Sequence, residues 1–155
     1  MMSFLPRWSL IRKHLPCLSR RPKSGKRLEK RKTRMPKIML AEDDPTMLRL
    51  LKTLMELEGF DAVPLAMNEN VLDAVHRESP DVLLLDVHLP QGNGLDFLRQ
   101  IRADARFERL IVLMASGMSL KDECLAAGAN AFLLKPFMPD MLIDSIRSML
   151  ASRPG

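Results

Sequence analysis

The sequence has no tyrosine, one tryptophan and six phenylalanines, so its interior has to be aliphatic, with twelve methionines to fill irregular gaps. Only two cysteines occur, Cys17 and Cys124, and they show no metal-type spacing, which excludes a disulfide scaffold and indicates a reduced, intracellular (cytoplasmic) protein. No apolar run approaches the ~18–20 residues of a membrane-spanning helix. The stretch from Phe4 to Leu18 is broken by Arg7, Arg12, Lys13 and two prolines, which makes it a poor signal peptide. Internal repeats are absent too, so a solenoid is not expected.

What is present divides unevenly. A chain of 155 residues suits one ordinary domain. Residues 1–37 hold 13 Lys/Arg against the single acid Glu29, and the remaining residues hold 11 against 18 acids. The formal charge of +5 therefore averages a basic arm and an acidic globular part. The arm, residues 1–35, cannot bury enough apolar surface to offset its ordering entropy. It reads as a disordered tail, or as an extension ahead of a true start at Met35. A third reading makes residues 1–34 a nonspecific contact to nucleic acid or an anionic membrane.

From residue 36 to 152 the pattern alternates strand and helix. Lys37 to Ala41 is a short apolar strand that runs into Glu42-Asp43-Asp44-Pro45. Asp44 and Pro45 are a helix start, an acceptor at the N-cap followed by proline at the first helical position. Phe60 to Leu65 is a second strand, placed at a sheet edge by Pro64. Asn68 to Glu78 is a second helix. Val82 to Leu85 is uninterrupted apolar, as in a strand covered on both faces, and it delivers Asp86 to its end. Leu95, Phe97, Leu98 and Ile101 stripe a third helix. Leu110 to Ala115 is a fourth strand, Leu120 to Ala127 a short helix holding Cys124, and Ala131 to Leu134 a fifth strand. Pro139 to Ala151 closes the chain as a helix with Met141, Leu142, Ile146, Met149 and Leu150 inward. Five βα units with short connections predict an α/β fold, a doubly wound parallel sheet with helices on both faces.

Polar residues then collect at the carboxyl ends of the strands: Glu42 and Asp43 after the first, Asp86 on the third, Ser116 on the fourth, Lys135 on the fifth. That edge is where open α/β sheets place their chemistry. Three acids gathered there would repel unless something offsets them. A hard divalent cation with oxygen ligands does so, and magnesium, which retains several waters, suits few protein contacts. Lys135 adds a point charge for an anion and Ser116 a hydroxyl. A carboxylate beside a cation, with a lysine and a hydroxyl, suits a phosphoryl group. Asp86 is then a competent nucleophile toward phosphorus, with positioning and electrostatics carrying the step.

These fragments, Glu42-Asp43-Asp44-Pro45, Leu83 to Pro90 with Gly94, Ser116-Gly117, Gly128-Ala129 and Lys135-Pro136-Phe137, resemble the receiver domain of bacterial two-component response regulators. The resemblance runs from Pro36 to Leu150. It implies a flavodoxin-like sheet of order 2-1-3-4-5, with Asp86 taking a phosphoryl group from a sensor histidine kinase or phosphotransfer protein. It implies Mg²⁺ on Asp43, Asp86 and the backbone carbonyl of His88, with Glu42 holding metal-bound water. Lys135 would contact the acid at rest and the phosphoryl oxygens afterwards. Ser116 and Phe132 would be the switch hydroxyl and aromatic, and the Lys135-Pro136 peptide would be cis. Such a protein is not a conventional enzyme, since it promotes only its own phosphorylation and dephosphorylation.

Two departures stand out. A shift of one residue would put Ala115 in the hydroxyl position, and the interval from Ser116 to Lys135 is short for the family, which trims helix 4. His88 as a side chain shapes the pocket mouth; His14 and His76 are surface residues. Because the chain ends at helix 5, the expectation is a single-domain regulator with no DNA-binding domain and a protein partner read by a phosphorylation-biased face. The rival readings are a degenerate receiver that binds partners without phosphate, a haloacid-dehalogenase-like phosphohydrolase, and the basic arm as the output.

Overall fold

The structure, a computed structural model, describes residues 34–154. Nearly all of the basic arm, with Cys17 and His14, lies outside the described residues. Five strands, β1 (Lys37–Ala41), β2 (Asp61–Pro64), β3 (Val82–Asp86), β4 (Ile111–Ser116) and β5 (Ala131–Leu134), form one parallel sheet of order β2-β1-β3-β4-β5. Five helices alternate with them: α1 (Pro45–Leu57), α2 (Val71–Glu78), α3 (Gly94–Ala103), α4 (Lys121–Ala126) and α5 (Pro139–Ala151). The chain builds the doubly wound parallel sheet expected from the βα alternation, in the flavodoxin-like order that the resemblance implied. No helix among the described residues is long and apolar enough to cross a membrane.

The continuous apolar runs follow from the sheet being covered on both sides. In β3, Val82 and Leu84 face α1 and α5, against Leu51, Met55, Leu142 and Ile146. Leu83 and Leu85 face α2, α3 and α4, against Val75, Leu98, Ile101 and Cys124. Alternate residues of one strand thus serve two cores, and neither set can be polar. Each fully buried Leu of this kind contributes roughly 1.5–3 kcal/mol. Pro64 sits at the end of the edge strand β2, where a missing N–H costs nothing in the ladder.

Local chemistry sets the helix starts. Asp44 caps α1 by accepting from Thr46 and Met47 N–H, at 2.7 and 3.2 Å. Helix α2 begins three residues later than the reading from Asn68. Asn70, not Asn68, supplies the cap, accepting from Leu72 N–H at 2.8 Å. In α5, Met141 is exposed rather than inward, and Ile143 is buried beside Leu142 and Ile146. A stripe of 142, 143 and 146 already fills the contact with β4 and β5, so 141 falls outside it. Cys124 is fully buried and burial pushes its thiol up, while His76 is exposed with its ring edge-on to Phe107.

Candidate functional site

Parallel strands bring their carboxyl ends to one edge, and register decides which residues meet there. Ala41 pairs with Leu85, Asp86 with Ala115, and Ser116 with Leu134. One residue beyond these pairs, Glu42 comes level with Asp86, and Lys135 follows directly on β5. Asp86 is itself buried at the end of β3, with its side chain 8 % exposed.

The Lys135 ammonium lies between two carboxylates, donating to Glu42 Oε2 and to Asp86 Oδ2, both at 2.6 Å. Asp86 Oδ1 accepts from the His88 backbone N–H at 3.1 Å, and Glu42 Oε1 accepts from Asp44 N–H at 3.2 Å. Glu42 has the more enclosed side chain, 4 % exposed, and Asp43 is exposed. Burial raises the Glu42 carboxyl above its ordinary range; its bond to Lys135 opposes this, and the neighbouring Asp43 adds to it. Burial pulls the Lys135 ammonium down, but its bonds to Asp86 and Glu42 outweigh that, and the net shift is upward.

Glu42, Asp43 and Asp86 each place a carboxylate oxygen within 4.8 Å of the others. Three carboxylates against one ammonium leave two negative charges uncompensated in a half-buried site. An all-oxygen, hard donor set with that deficit fits a small divalent cation. The exposed Asp43 leaves the cluster open on one side.

The chain is also shaped to keep Asp86 in place. After β3 it folds into a hairpin, His88–Leu89 against Gly92–Asn93, and Asn93 caps α3 by accepting from Leu95 N–H at 2.9 Å. Gly94 passes so close behind the strand that a Cβ there would lie 2.2 Å from the Asp86 carbonyl oxygen. Only glycine fits that approach. The Lys135-Pro136 peptide is cis. Beside Lys135 a groove of about 760 Å³ runs between α1 and the start of α5, lined by Met47, Leu50, Leu54, Leu57 and Phe137.

Of the residues singled out from the sequence, Glu42, Asp43, Asp86 and Lys135 come together, and His88 joins through its backbone. Ser116 does not bond to the acids. Its buried hydroxyl accepts from Met118 N–H at 3.1 Å. Phe132 is half-buried and packs against the core on the α2–α4 face. The sequence reading did not foresee the direct Glu42–Lys135 pair, nor Asn93 as a cap. The run Gln91-Gly92-Asn93-Gly94 carried a signal for the latter, since Asn before a glycine-led helix is a cap pattern.

A family model described as the response regulator receiver domain matches residues 38–147. The chain is 33% identical over 120 residues to the DNA-binding response regulator MtrA of Mycolicibacterium smegmatis, covering 76% of this chain and 52% of that protein. It is 39% identical over 117 residues to the transcriptional regulatory protein CpxR of Escherichia coli, covering 75% and 50% respectively. Among solved structures it is similar to the receiver domain of the sensor histidine kinase PA1611 of Pseudomonas aeruginosa, described with a magnesium ion in its active site cleft. The TM-score there is 0.69 at 25% identity, covering 77% of this chain and all of the other. The chain thus spans about half the length of the curated relatives it matches. This corrects the expectation of a regulator without a DNA-binding domain. The matched relatives are DNA-binding or transcriptional regulators, and the point where α5 stops carries no information about modules joined to it.

Proposed function

The chain belongs to the response regulator receiver family, and on that premise we propose that Asp86 is the phospho-acceptor of a two-component pathway. The phosphoryl donor is a phosphohistidine on a sensor kinase or phosphotransfer protein, and the setting is the cytoplasm. One Asp86 carboxylate oxygen forms the new O–P bond as the histidine N–P bond breaks, and the leaving imidazole nitrogen keeps the electron pair and takes up a proton. The product is an aspartyl phosphate.

Lys135 already grips Asp86 at 2.6 Å, so it is placed to follow the added charge onto a phosphoryl oxygen. Glu42, Asp43, Asp86 and the backbone carbonyl of His88 would hold Mg²⁺, which supplies charge neutralisation to the transferring group. The domain is not a conventional enzyme; its own residues promote its phosphorylation and the later hydrolysis. Ser116 and Phe132 are the proposed switch pair, and residues 36–152 are the receiver domain.

The observation that carries this reading is the bond pattern of Lys135, one ammonium between Asp86 and Glu42 beside the open Asp43. Such a frustrated cluster is costly to fold and makes sense as a site for a cation and an anion together. A second reading, a receiver that works without phosphate, is favoured only by α4, which has just six residues. Incubation with Mg²⁺ and acetyl phosphate, read by intact mass, separates the two. The proposal expects a gain of one phosphoryl group that is absent in Asp86→Asn. No gain on the unaltered chain overturns it in favour of the second reading.

A further inference from the structure

The amino edge of the sheet, opposite Asp86, has a hollow of its own. It measures about 300 Å³, lies between the end of α2 and residues 106–110, and has apolar walls of Val75, Pro80, Phe107 and Leu110. Two arginines are spent on holding the 107–110 wall. Arg102, in the last turn of α3, donates to Phe107 O at 3.4 Å and Leu110 O at 2.9 Å, and to Gly128 O and Asn130 Oδ1, both at 2.8 Å. Arg153 donates to Arg109 O, Asp81 O and Asp81 Oδ1, each at 2.9 Å. A planar guanidinium with its donors in a fixed fork sets such a wall in one geometry before any ligand arrives.

The same bonds cover what would repel an anion. Helix α2 ends at this hollow, and the carbonyl end of a helix carries partial negative charge. Ser79 N–H donates to Val75 O at 2.9 Å, the Ser79 hydroxyl to His76 O at 3.4 Å, and Lys37 Nζ to Glu78 O at 3.1 Å. The Phe107, Arg109 and Leu110 carbonyls are taken by the two arginines.

Donors, by contrast, are left over. Arg109 is exposed, and its guanidinium has no partner among the described residues. Arg106 gives Nε and Nη2 to Asp104 and keeps Nη1. The ring nitrogens of exposed His76 have no partner among the described residues either. All three side chains line the hollow. Charge points the same way. Arg34, Arg106, Arg109 and Arg153 stand against Asp81 and Asp104, which leaves two positive charges unmatched. The exposed Glu108 lines the neighbouring hollow beyond Arg109 and not this one.

We propose that this hollow binds a small phosphate monoester, with its phosphoryl oxygens on Arg109, Arg106 and His76 and its organic part against Val75, Pro80, Phe107 and Leu110. A dianion matches the two unmatched charges, and the free fork of Arg109 suits two oxygens of one phosphoryl group. A bare oxyanion would leave the apolar walls unused. The site lies at the other edge of the sheet from Asp86, and it stands whether or not Asp86 is phosphorylated.

Titration followed by NMR tests it on the full chain in divalent-free buffer, with inorganic phosphate and phenyl phosphate as the probes. Saturable shifts are expected at the Arg106 and Arg109 Nε–H signals and at the His76 and Ser79 amides, while the Glu42, Asp86 and Lys135 amides stay still. Two charge-assisted bonds correspond to a dissociation constant of about 1 mM for inorganic phosphate. Phenyl phosphate binds about threefold or more tighter, because its ring covers apolar wall. Arg109→Ala weakens both probes about tenfold or more. Arg109→Gln, which keeps the length of the side chain and loses the charge, does the same. Arg99→Ala removes the same charge from the exposed face of α3 and leaves binding within about twofold. Equal weakening by Arg109→Ala and Arg99→Ala shows general charge attraction and overturns the site, as do shifts confined to the carboxyl edge or no saturation by either probe. Equal affinity for the two probes overturns the monoester assignment.

Discussion

Strand β3 is bracketed by two aspartates, and the two ends of the sheet treat them in opposite ways. Asp81, just before the strand, accepts from Arg34, Arg153 and the Lys37 backbone N–H, all between 2.8 and 2.9 Å. Asp86, at its other end, shares one ammonium with Glu42 and lies within 4.8 Å of Glu42 and Asp43 oxygens. At the amino edge cations and N–H donors are gathered around a single acid. At the carboxyl edge acids exceed cations three to one. The first arrangement fastens α5 and the chain's entry to the sheet; the second stores an unmet demand for positive charge. The same side chain is a tie at one edge and the proposed phospho-acceptor at the other, and it is the surrounding charge that separates them.

The largest expected effect is a split between these two residues. Asp86→Asn abolishes phosphoryl uptake from acetyl phosphate, by intact mass, while leaving the fold intact. Asp81→Asn keeps uptake and lowers stability by about 1–3 kcal/mol in urea unfolding, because charged donors lose their partner. Loss of uptake in both variants breaks the comparison.

Next comes Lys135. Lys135→Met lowers the rate of phosphorylation about 10²–10³-fold, as expected for removing one charge-stabilising donor. Without divalent cation it also costs about 1–3 kcal/mol, since Glu42 and Asp86 are left buried and unpaired. A smaller effect follows from adding Mg²⁺ to the unaltered chain. At 100 times the dissociation constant the shift in stability is about 2.7 kcal/mol. Asp43→Asn shrinks that shift, and Asp81→Asn does not, as a thermal melt shows.

The pH dependence sharpens the contrast further. Burial holds the Glu42 carboxyl above its ordinary 4.5, so the folded chain keeps a proton there that the unfolded chain has released. The associated stability is full below the unfolded value and is lost as pH rises through the folded one. Cation-free protein should therefore lose stability from this group as pH rises above that ordinary value, and Glu42→Gln should flatten that slope. The upward shift of Lys135 has the other window: its contribution is present below the ordinary 10.5 and disappears as pH rises through the higher folded value. The smallest effect is at Asp104, held at about 2 by the exposed Arg106. Arg106→Ala returns that carboxyl toward its ordinary 3.8 in an NMR titration and leaves phosphoryl uptake unchanged.

Most of the sheet was legible because burial on both faces forces unbroken apolar runs, and the acids that end them are conspicuous. Asp86, Glu42, Asp43 and Lys135 could be grouped before any coordinates, since parallel strands must present their carboxyl ends together. Positions decided by packing were harder. Asn68 and Asn70 are equivalent caps as letters, and only the fold selects the second. Met141 has the same helical spacing as its buried neighbours and lies just outside the stripe. Arg102 gave no signal at all, because it bonds to backbone carbonyls and an asparagine distant in sequence, with no acid to pair by eye. The output module failed for another reason: where α5 stops is silent about what a longer protein joins to it, and relatives of twice the length made that plain.

The central claim is that Asp86 differs from Asp81 in function because of the charge deficit around it. Intact mass after incubation with acetyl phosphate and Mg²⁺ tests this most directly, on the unaltered chain, Asp86→Asn and Asp81→Asn in parallel. The account predicts one added phosphoryl group in the first and third and none in the second. Labelling of Asp86→Asn equal to that of the unaltered chain would contradict it.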